Sequence, residues 1–321
     1  MSRAACDAVV LCECFARDGL QHESTVLPTE VKVALIDGFS AMGFQRIETT
    51  SFTHPGNVPQ FSDADEVLRR IQRRAGTSYK ATCVNLRSIE RALAAADAGF
   101  GPDEISMVLV ATDALSARAF KRTRTELREV VAEMLMLAAG RFHITGTISG
   151  ALGCHYEGAV DPRQVIADAA WFLERGVRSI AIADTTGMGD PASVARLFGE
   201  LLQTLPDIVP IAHFHDTRGM GLANCLAAYQ AGVRHFDCAI GGTGGHPAQL
   251  NYGQGHTGNV CTEDLAVMFE TMGVPTGLHL EDLLPVVGAC EKALGRSLDG
   301  RTARSGLGLL SRRIASRSAH V

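Results

Sequence analysis

Eight short apolar segments alternate with helical patterns along this chain of 321 residues. Each segment is rich in apolar or β-branched residues, and a longer stretch with helical periodicity follows it. Eight such units favour a single closed parallel (β/α)8 TIM barrel, an α/β fold. The predicted strands are Ala8–Glu13, Arg46–Thr49, Tyr79–Val84, Glu104–Leu109, Phe142–Ser149, Ser179–Ala183, Val209–Phe214 and His235–Ala239.

The stretches between these strands have the apolar spacing of amphipathic helices. An open doubly wound sheet is the alternative architecture. It is disfavoured because the first strand is not followed by the glycine fingerprint of a dinucleotide site. The predicted helices are Thr29–Met42, Asp63–Arg73, Leu86–Ala96, Ala117–Leu137, Asp161–Arg175, Pro191–Thr204, Gly221–Ala231 and Glu263–Met272.

No Pro/Gly/Ser-rich linker divides the chain into two domains. We therefore predict one catalytic barrel domain over residues 1–278. The remaining residues, 279–321, exceed what eight units need, and they contain a helical pattern at Glu281–Leu294. We expect this C-terminal extension to add extra helices as a barrel cover or a tail.

Composition narrows the class of partner. Hydrophobic residues make up 46% of the chain and charged residues 20%, which is typical of a well-buried globular enzyme. The net charge is only −5 and no basic stripe is present, so we expect small-molecule partners and no nucleic acid. No window approaches the roughly 20 apolar residues of a membrane span, and the first residues lack the apolar core of a signal peptide, so a cytoplasmic location is expected.

The nine cysteines lack paired C-x-x-C spacing and favour reduced core residues. Cys12-Glu13-Cys14 is a weak metal pattern within a predicted strand. Strand packing is the preferred interpretation of this pair.

Polar residues recur where the predicted strands end. In a TIM barrel the chemistry lies at the carboxyl ends of the strands, so these residues are expected to share one rim. Each has a simpler interpretation: Asp18 as a turn cap, Glu48 as an ion-pair partner of Arg17, Asp184 as a helix cap. These interpretations would not explain why all of them fall on the same rim. The residues are Arg17 and Asp18 after the first strand, Glu48 and Ser51 at the second, Asp184 at the sixth, His213 and His215 at the seventh, and the loop Gly241–Asn259 after the eighth.

His213 and His215 stand two residues apart and share one face of a strand. With the carboxylate of Asp18 and the carbonyl oxygen of Asn259 they make a suitable shell for a divalent cation. The mixed oxygen and nitrogen set favours Mg²⁺ or Mn²⁺, and it also suits Zn²⁺ or Co²⁺. A cation there would bind a hydroxyl and a carbonyl oxygen together, and Arg17 would stabilise an enolate oxygen.

The segment Glu13-Cys-Phe-Ala-Arg-Asp-Gly-Leu-Gln-His-Glu23 resembles the E-x-x-x-R-D-G-L-Q-N-E opening of 3-hydroxy-3-methylglutaryl-CoA (HMG-CoA) lyases, which are metal-dependent TIM-barrel enzymes. The resemblance extends from about Ala8 to Met272. Further matching segments follow in the family's order: Thr50-Ser-Phe-Thr-His-Pro, Val58-Pro-Gln60, Gly153-Cys-His-Tyr-Glu-Gly158, Asp184-Thr-Thr-Gly187, His213-Phe-His-Asp-Thr217 and Gly258-Asn-Val-Cys-Thr-Glu-Asp264.

The resemblance implies a role for each matching residue. It makes Arg17 the enolate-stabilising residue and adds acidic catalytic residues at Glu48, Asp184 and Glu263. The implied metal ligands are Asp18, His213, His215 and Asn259, and the implied substrate-lining residues are Gln21, Ser51 and Tyr156.

The same resemblance implies a reaction and an assembly. The expected chemistry is a retro-Claisen cleavage of HMG-CoA, or a related 3-hydroxyacyl-CoA, to acetyl-CoA and a keto acid such as acetoacetate. It needs no redox cofactor. A homodimer or higher homo-oligomer is also expected.

One departure affects the expected chemistry. The family's loop after the eighth strand reads G-x-G-G-C-P with a catalytic cysteine, and His246 stands at that position here. Histidine suits proton transfer because its unperturbed pKa is near ~6.5. We expect His246 to act as the general acid on a lid; the alternative is that it only fills the space of the cysteine.

Other departures leave the substrate open. His22, Ser24, His155 and Gly56-Asn57 differ from the family's pattern, and Ala248–Asn251 lengthens the loop after the eighth strand.

Three other functions stay open. One is the cleavage of citramalyl-CoA to acetyl-CoA and pyruvate. A second is a Claisen-condensing acyl-CoA synthase, although His215-Asp216-Thr217 and the short C-terminus favour a lyase. The third is a non-catalytic binding barrel, against which the intact ligand set argues.

Overall fold

The computed structural model describes residues 8–245 and 257–311. Eight parallel strands close into a barrel in the order β1 to β8, which confirms the predicted (β/α)8 TIM barrel. The strands are β1 Val10–Glu13, β2 Arg46–Ser51, β3 Ser78–Thr82, β4 Glu104–Val110, β5 His143–Ser149, β6 Ser179–Asp184, β7 Val209–Phe214 and β8 His235–Cys238.

The first and last strands close the barrel. Cys12 on β1 is in register with Arg46 on β2 and with Asp237 on β8. Since strand side chains alternate, these residues share the inner face, and the intervening apolar residues face the helices. Leu11 and Phe236 are examples of this outer layer, and both are buried. The interior below the rim is therefore unusually polar, while the apolar core lies between barrel and helices.

Helices cover the barrel between successive strands, as predicted. They are α1 Thr29–Ala41, α2 Ala64–Arg70, α3 Leu86–Asp97, α4 Asp113–Phe120, α5 Arg124–Ala138, α6 Pro162–Leu173, α7 Pro191–Thr204, α8 Gly221–Gln230, α9 Thr262–Thr271, α10 Leu283–Leu294 and α11 Arg301–Ser305. None of the helices in the described ranges is long and apolar enough to cross a membrane.

The predicted helix Ala117–Leu137 was wrong as a single element. Helix α4 ends at Phe120, because the next residue, Lys121, has a left-handed φ of 56°. Helix α5 then begins at Arg124. Thr123 and Glu126 form a reciprocal capping box that satisfies the first amides of α5. The apolar spacing continues through the break, which is why periodicity alone did not reveal it.

The C-terminal extension contributes α10 and α11. α10 buries Leu283, Val287 and Cys290 and packs against α1 and α9. The carboxylate of Asp264 accepts hydrogen bonds from the first two amides of α11 at 3.0 and 2.7 Å. This part of the extension is therefore packed onto the barrel, while the domain boundary at residue 278 stays a prediction.

Candidate metal centre

A π-helical turn, Phe15–Gly19, directly follows β1 and carries the first two site residues. Such wide turns occur often at functional sites because they displace side chains from the regular helical position. Here the turn places Arg17 and Asp18 at the carboxyl end of the barrel. Asp18 is 4% exposed.

Asp18 and the two histidines of β7 converge. Oδ2 of Asp18 lies 3.6 Å from Nε2 of His213 and 3.8 Å from Nε2 of His215. The two Nε2 atoms are 3.3 Å apart. His213 and His215 reach the same point because they alternate by two along one strand end. One ion could therefore contact all three side chains.

Asn259, in the loop between β8 and α9, also belongs to this group. It forms an isolated bridge with His215, and its Nδ2 donates to Oδ2 of Asp18 and to the carbonyl of Thr243, both at 2.9 Å. Its Oδ1 is buried and has no hydrogen-bond partner among the described residues. A buried carbonyl oxygen left unpaired is costly unless a ligand satisfies it. The residues therefore fit a divalent cation.

The charge of Asp18 also suits a cation. Burial opposes ionisation, but Arg17 and the two histidines keep the pKa of Asp18 well below its usual range. The carboxylate is thus ionised throughout the neutral pH range.

Arg17 is held between two carboxylates. Its NH2 lies 2.8 Å from Oε2 of Glu48, and its NH1 lies 3.2 Å from Oδ1 of Asp18. NH1 also donates to Oε1 of Gln21 at 3.3 Å. Thr82 donates to the other oxygen of Glu48 at 2.6 Å. These contacts fix the guanidinium beside the metal ligands, where it can face a developing negative charge.

Asp184 ends β6 with its side chain buried. It accepts hydrogen bonds from the amides of Met188 at 3.0 Å and Gly189 at 2.9 Å. Burial raises the pKa of Asp184 to about 6 despite these amides. It does not cap a helix: α7 is capped by Asp190. A carboxylate with this pKa suits proton transfer near neutral pH.

The structure places the remaining predicted residues as follows. The hydroxyl of Ser51 forms a hydrogen bond with the hydroxyl of Thr53 at 2.7 Å and donates one to the carbonyl of Thr82 at 3.2 Å. Glu263 accepts from the amide of Gly241 at 3.0 Å, and burial raises its pKa. Tyr156 lies under the guanidinium of Arg118, 4.1 Å from it, in the loop after β5. His246 lies outside the described residues.

These contacts divide the predicted set. The structure brings Arg17, Asp18, Gln21, Glu48, His213, His215 and Asn259 into one connected group. The contacts described above for Glu263 and Tyr156 are instead with Gly241 in the loop after β8 and with Arg118 of α4, respectively. Their predicted roles in catalysis and substrate binding remain proposals.

Two supporting residues were not predicted. Asp237 lies 3.2 Å from Nδ1 of His213, and Thr257 lies 3.1 Å from Nδ1 of His215. The only sequence signal for Asp237 is its place two residues after His235 in a strand, on the inner face.

A further group of donor atoms, from Cys12, Cys14 and Asp237, lies within 4.8 Å of one another. The ammonium of Lys80 lies 3.5 Å from Asp237 at the same place. A second cation there would meet this positive charge, which supports strand packing as the role of the two cysteines.

Comparison with known proteins identifies the family of this chain. The family model described as HMGL-like matches residues 8–288. The (R)-citramalyl-CoA lyase of Chloroflexus aurantiacus is 36% identical, with 94% of this chain and 95% of that protein covered. Human mitochondrial hydroxymethylglutaryl-CoA lyase is also 36% identical, with coverage of 92% and 89%.

Solved structures of HMG-CoA lyases are also similar to this chain over most of its length. An HMG-CoA lyase from Acinetobacter baumannii, in complex with coenzyme A and 3-methylmalate, has a TM-score of 0.88 at 35% identity, with coverage of 96% of this chain and 98% of that one. The HMG-CoA lyase of Bacillus subtilis has a TM-score of 0.87 at 33% identity, with coverage of 93% and 98%. The chain therefore belongs to the HMGL-like family of carbon–carbon lyases.

Proposed function

We propose that this enzyme is a divalent-metal-dependent lyase that cleaves a 3-hydroxy-3-methylacyl-CoA thioester to acetyl-CoA and a keto acid. The observation that carries the proposal is the convergence of Asp18, His213, His215 and the unpaired Oδ1 of Asn259 beside Arg17. The reaction needs a group that orients a tertiary alcohol, a base for its proton and a cation for the enolate. This rim supplies candidates for all three.

When bound, the cation would supply Lewis acidity that lowers the pKa of the substrate hydroxyl. Asp184 is the proposed base, because its raised pKa gives it proton affinity close to neutrality. Loss of the hydroxyl proton forms a carbonyl as the adjacent C–C bond breaks, and the electron pair moves into the thioester as an enolate. Arg17 is proposed to stabilise that enolate oxygen, and His246 to protonate its carbon.

Two substrates deserve direct comparison. Cleavage of HMG-CoA gives acetoacetate, and cleavage of citramalyl-CoA gives pyruvate; the two thioesters differ by one methylene between the carbinol carbon and the carboxylate. The similarity to the (R)-citramalyl-CoA lyase, at the same identity as human HMG-CoA lyase, supports testing both.

The test incubates purified protein with Mg²⁺ or Mn²⁺ and each thioester, and measures acetyl-CoA and the keto acid by mass. We expect one thioester to be turned over at least about tenfold faster, since one methylene in a pocket is worth about 1–3 kcal/mol. Metal-bound protein that cleaves neither thioester would contradict the proposal and favour the synthase or binding-barrel alternative.

Arg17→Met is expected to lower kcat by about 10²- to 10³-fold, the effect typical of losing one donor to an oxyanion. KM should change less, because the enolate charge develops only in the transition state. Steady-state kinetics measure both constants.

The matched control for this variant is Arg124→Met. It also removes an arginine from a buried carboxylate, that of Asp168, on the outside of the barrel. An equal loss of kcat in both variants would show that Arg17 acts only through stability.

The pH profile of kcat/KM is expected to fall below about pH 6. Asp184 must be ionised to accept a proton, and burial raises its pKa, so it becomes protonated as the pH falls through that value. Below it the rate should fall about tenfold for each pH unit.

Two variants check the assignment of this limb. Asp184→Asn should remove the limb together with most of the activity. Asp190→Asn, which affects only the cap of α7, should keep the limb. A wild-type rate that stays constant down to about pH 4, the range of an ordinary aspartate, would exclude Asp184 as the base.

A further inference from the structure

Charged side chains fill the barrel interior below the metal centre, and the proposed reaction does not use them. Arg46, Lys80, Glu104 and Asp237 are all buried, and Lys80 is 2% exposed. Burying charges carries a desolvation cost that their pairing only partly offsets. Such a group in an enzyme core calls for a functional explanation.

Asp237 links these charges to the metal centre. It is the register partner of His213 on the neighbouring strand, and its Oδ2 lies 3.2 Å from Nδ1 of that histidine. The Nζ of Lys80 lies 3.5 Å from the same oxygen, and NH1 of Arg46 lies 3.7 Å from Oδ1. The three partners surround one carboxylate.

The charge of Asp237 follows from these partners. Burial opposes ionisation, but the adjacent cations of Lys80 and Arg46 favour the ionised carboxylate. An ionised carboxylate only accepts hydrogen bonds. The hydrogen bond between the two residues is therefore donated by Nδ1–H of His213.

The donated proton fixes the other ring nitrogen. In a neutral imidazole with its proton on Nδ1, Nε2 carries the lone pair. That Nε2 is the atom that lies 3.6 Å from Asp18 and 3.3 Å from Nε2 of His215. His213 is thus presented as a ligand before any cation binds.

The contact of His215 with Thr257 is different. Thr257 lies 3.1 Å from its Nδ1, and a hydroxyl either donates or accepts. That contact by itself permits both tautomers. Among the contacts described here, Nδ1 of His213 has a charged partner inside the barrel and Nδ1 of His215 has a neutral partner in the loop after β8.

Lys80 also reaches the other half of the site. Its Nζ lies 3.7 Å from Oε1 of Glu48, whose second oxygen pairs with Arg17. The ammonium of Lys80 thus lies between two carboxylates. One is Asp237, which contacts the proposed metal ligand His213, and the other is Glu48, which pairs with Arg17.

We propose that Asp237 is a positioning residue that fixes the tautomer and ring orientation of His213, and that Lys80 is the buried cation that holds Asp237 in place. This inference rests on the proposed metal centre. Carboxylates that support a metal-bound histidine typically change metal affinity by about 10- to 100-fold when replaced.

The experiment measures Mn²⁺ affinity by calorimetry, without substrate. Asp237→Asn is expected to weaken Mn²⁺ binding by about 10- to 100-fold. Lys80→Met should weaken it in the same direction, and the double variant should lose less than the sum of both, because the two residues act through one contact.

Glu104→Gln is the matched control. Glu104 is also a buried carboxylate on Arg46, at 2.6 Å, but its contacts do not include His213. It should lower the melting temperature while leaving Mn²⁺ affinity within about twofold of wild type. An equal loss of Mn²⁺ affinity in Asp237→Asn and Glu104→Gln would overturn the proposal. Wild-type Mn²⁺ affinity in Asp237→Asn would also overturn it.

A measurement on the wild-type protein avoids any folding defect. ¹⁵N NMR of metal-free protein labelled at histidine should show His213 as the Nδ1–H tautomer. His213→Gln assigns the signal. An Nε2–H tautomer would overturn the inference, whereas wild-type protein that binds no Mn²⁺ would overturn the proposed metal centre itself.

Discussion

Replacing Asp18 with asparagine is expected to reduce kcat/KM by about 10³-fold or more. Asp18 is the only anionic member of the proposed ligand set, and metal catalysis typically supplies several kcal/mol to the transition state. Asparagine keeps the shape but loses the charge that faces both histidines. Calorimetric Mn²⁺ affinity and steady-state kinetics measure the two consequences separately.

The control for this variant is Asp168→Asn. Asp168 is fully buried and paired with Arg124 and Arg128 on α5, away from the metal centre. This variant should unfold at a lower temperature, yet its folded form should bind Mn²⁺ and turn over normally. Full activity of Asp18→Asn after removal of metal by a chelator would refute metal-dependent catalysis.

Replacing His246 with alanine is expected to lower kcat by about 10²- to 10⁴-fold, the contribution typical of a general acid. Mn²⁺ affinity should stay at the wild-type value, because the proposed ligands are Asp18, His213, His215 and Asn259. His246→Cys should restore much of the activity, since the HMG-CoA lyase loop pattern that this chain resembles has a cysteine at that position. The restored activity should then be lost on treatment with a thiol-alkylating reagent.

The comparison variant is His279→Ala, in which the replaced histidine has a side chain 59% exposed. It should retain wild-type kinetics. If His246→Ala stays within about threefold of wild type, the histidine does not donate the proton and only occupies the space of the cysteine. Inactivation of the wild-type protein by thiol modification would then direct attention to one of its own cysteines.

Much of the fold was predictable because strand and helix patterns are local. Strand β7, Val209–Phe214, was predicted with its observed bounds, and α7 likewise. The break between α4 and α5 was not, because it depends on one left-handed residue, Lys121, within continuous apolar spacing. The capping pair Thr123 and Glu126 was the available sequence signal.

The candidate site was predictable to a similar extent. Asp18, His213, His215 and Asn259 come from distant segments, but each lies at or after the carboxyl end of a barrel strand and so reaches the same rim. Asp184 shows the limit of this reasoning. Its position suggested either an acidic residue of the active site or a helix cap, and only the contacts assigned capping of α7 to Asp190.

The sequence by itself determined the barrel, the identity of the rim residues and the family, because alternation, motif order and strand ends are properties of neighbours along the chain. The tertiary structure alone decided which charges meet inside the barrel. Lys80, Asp237 and His213 come from three strands, and Asp237 and Lys80 are 157 positions apart in the chain. Barrel closure and register bring them within hydrogen-bonding or ion-pair distance, and no local pattern encodes that proximity.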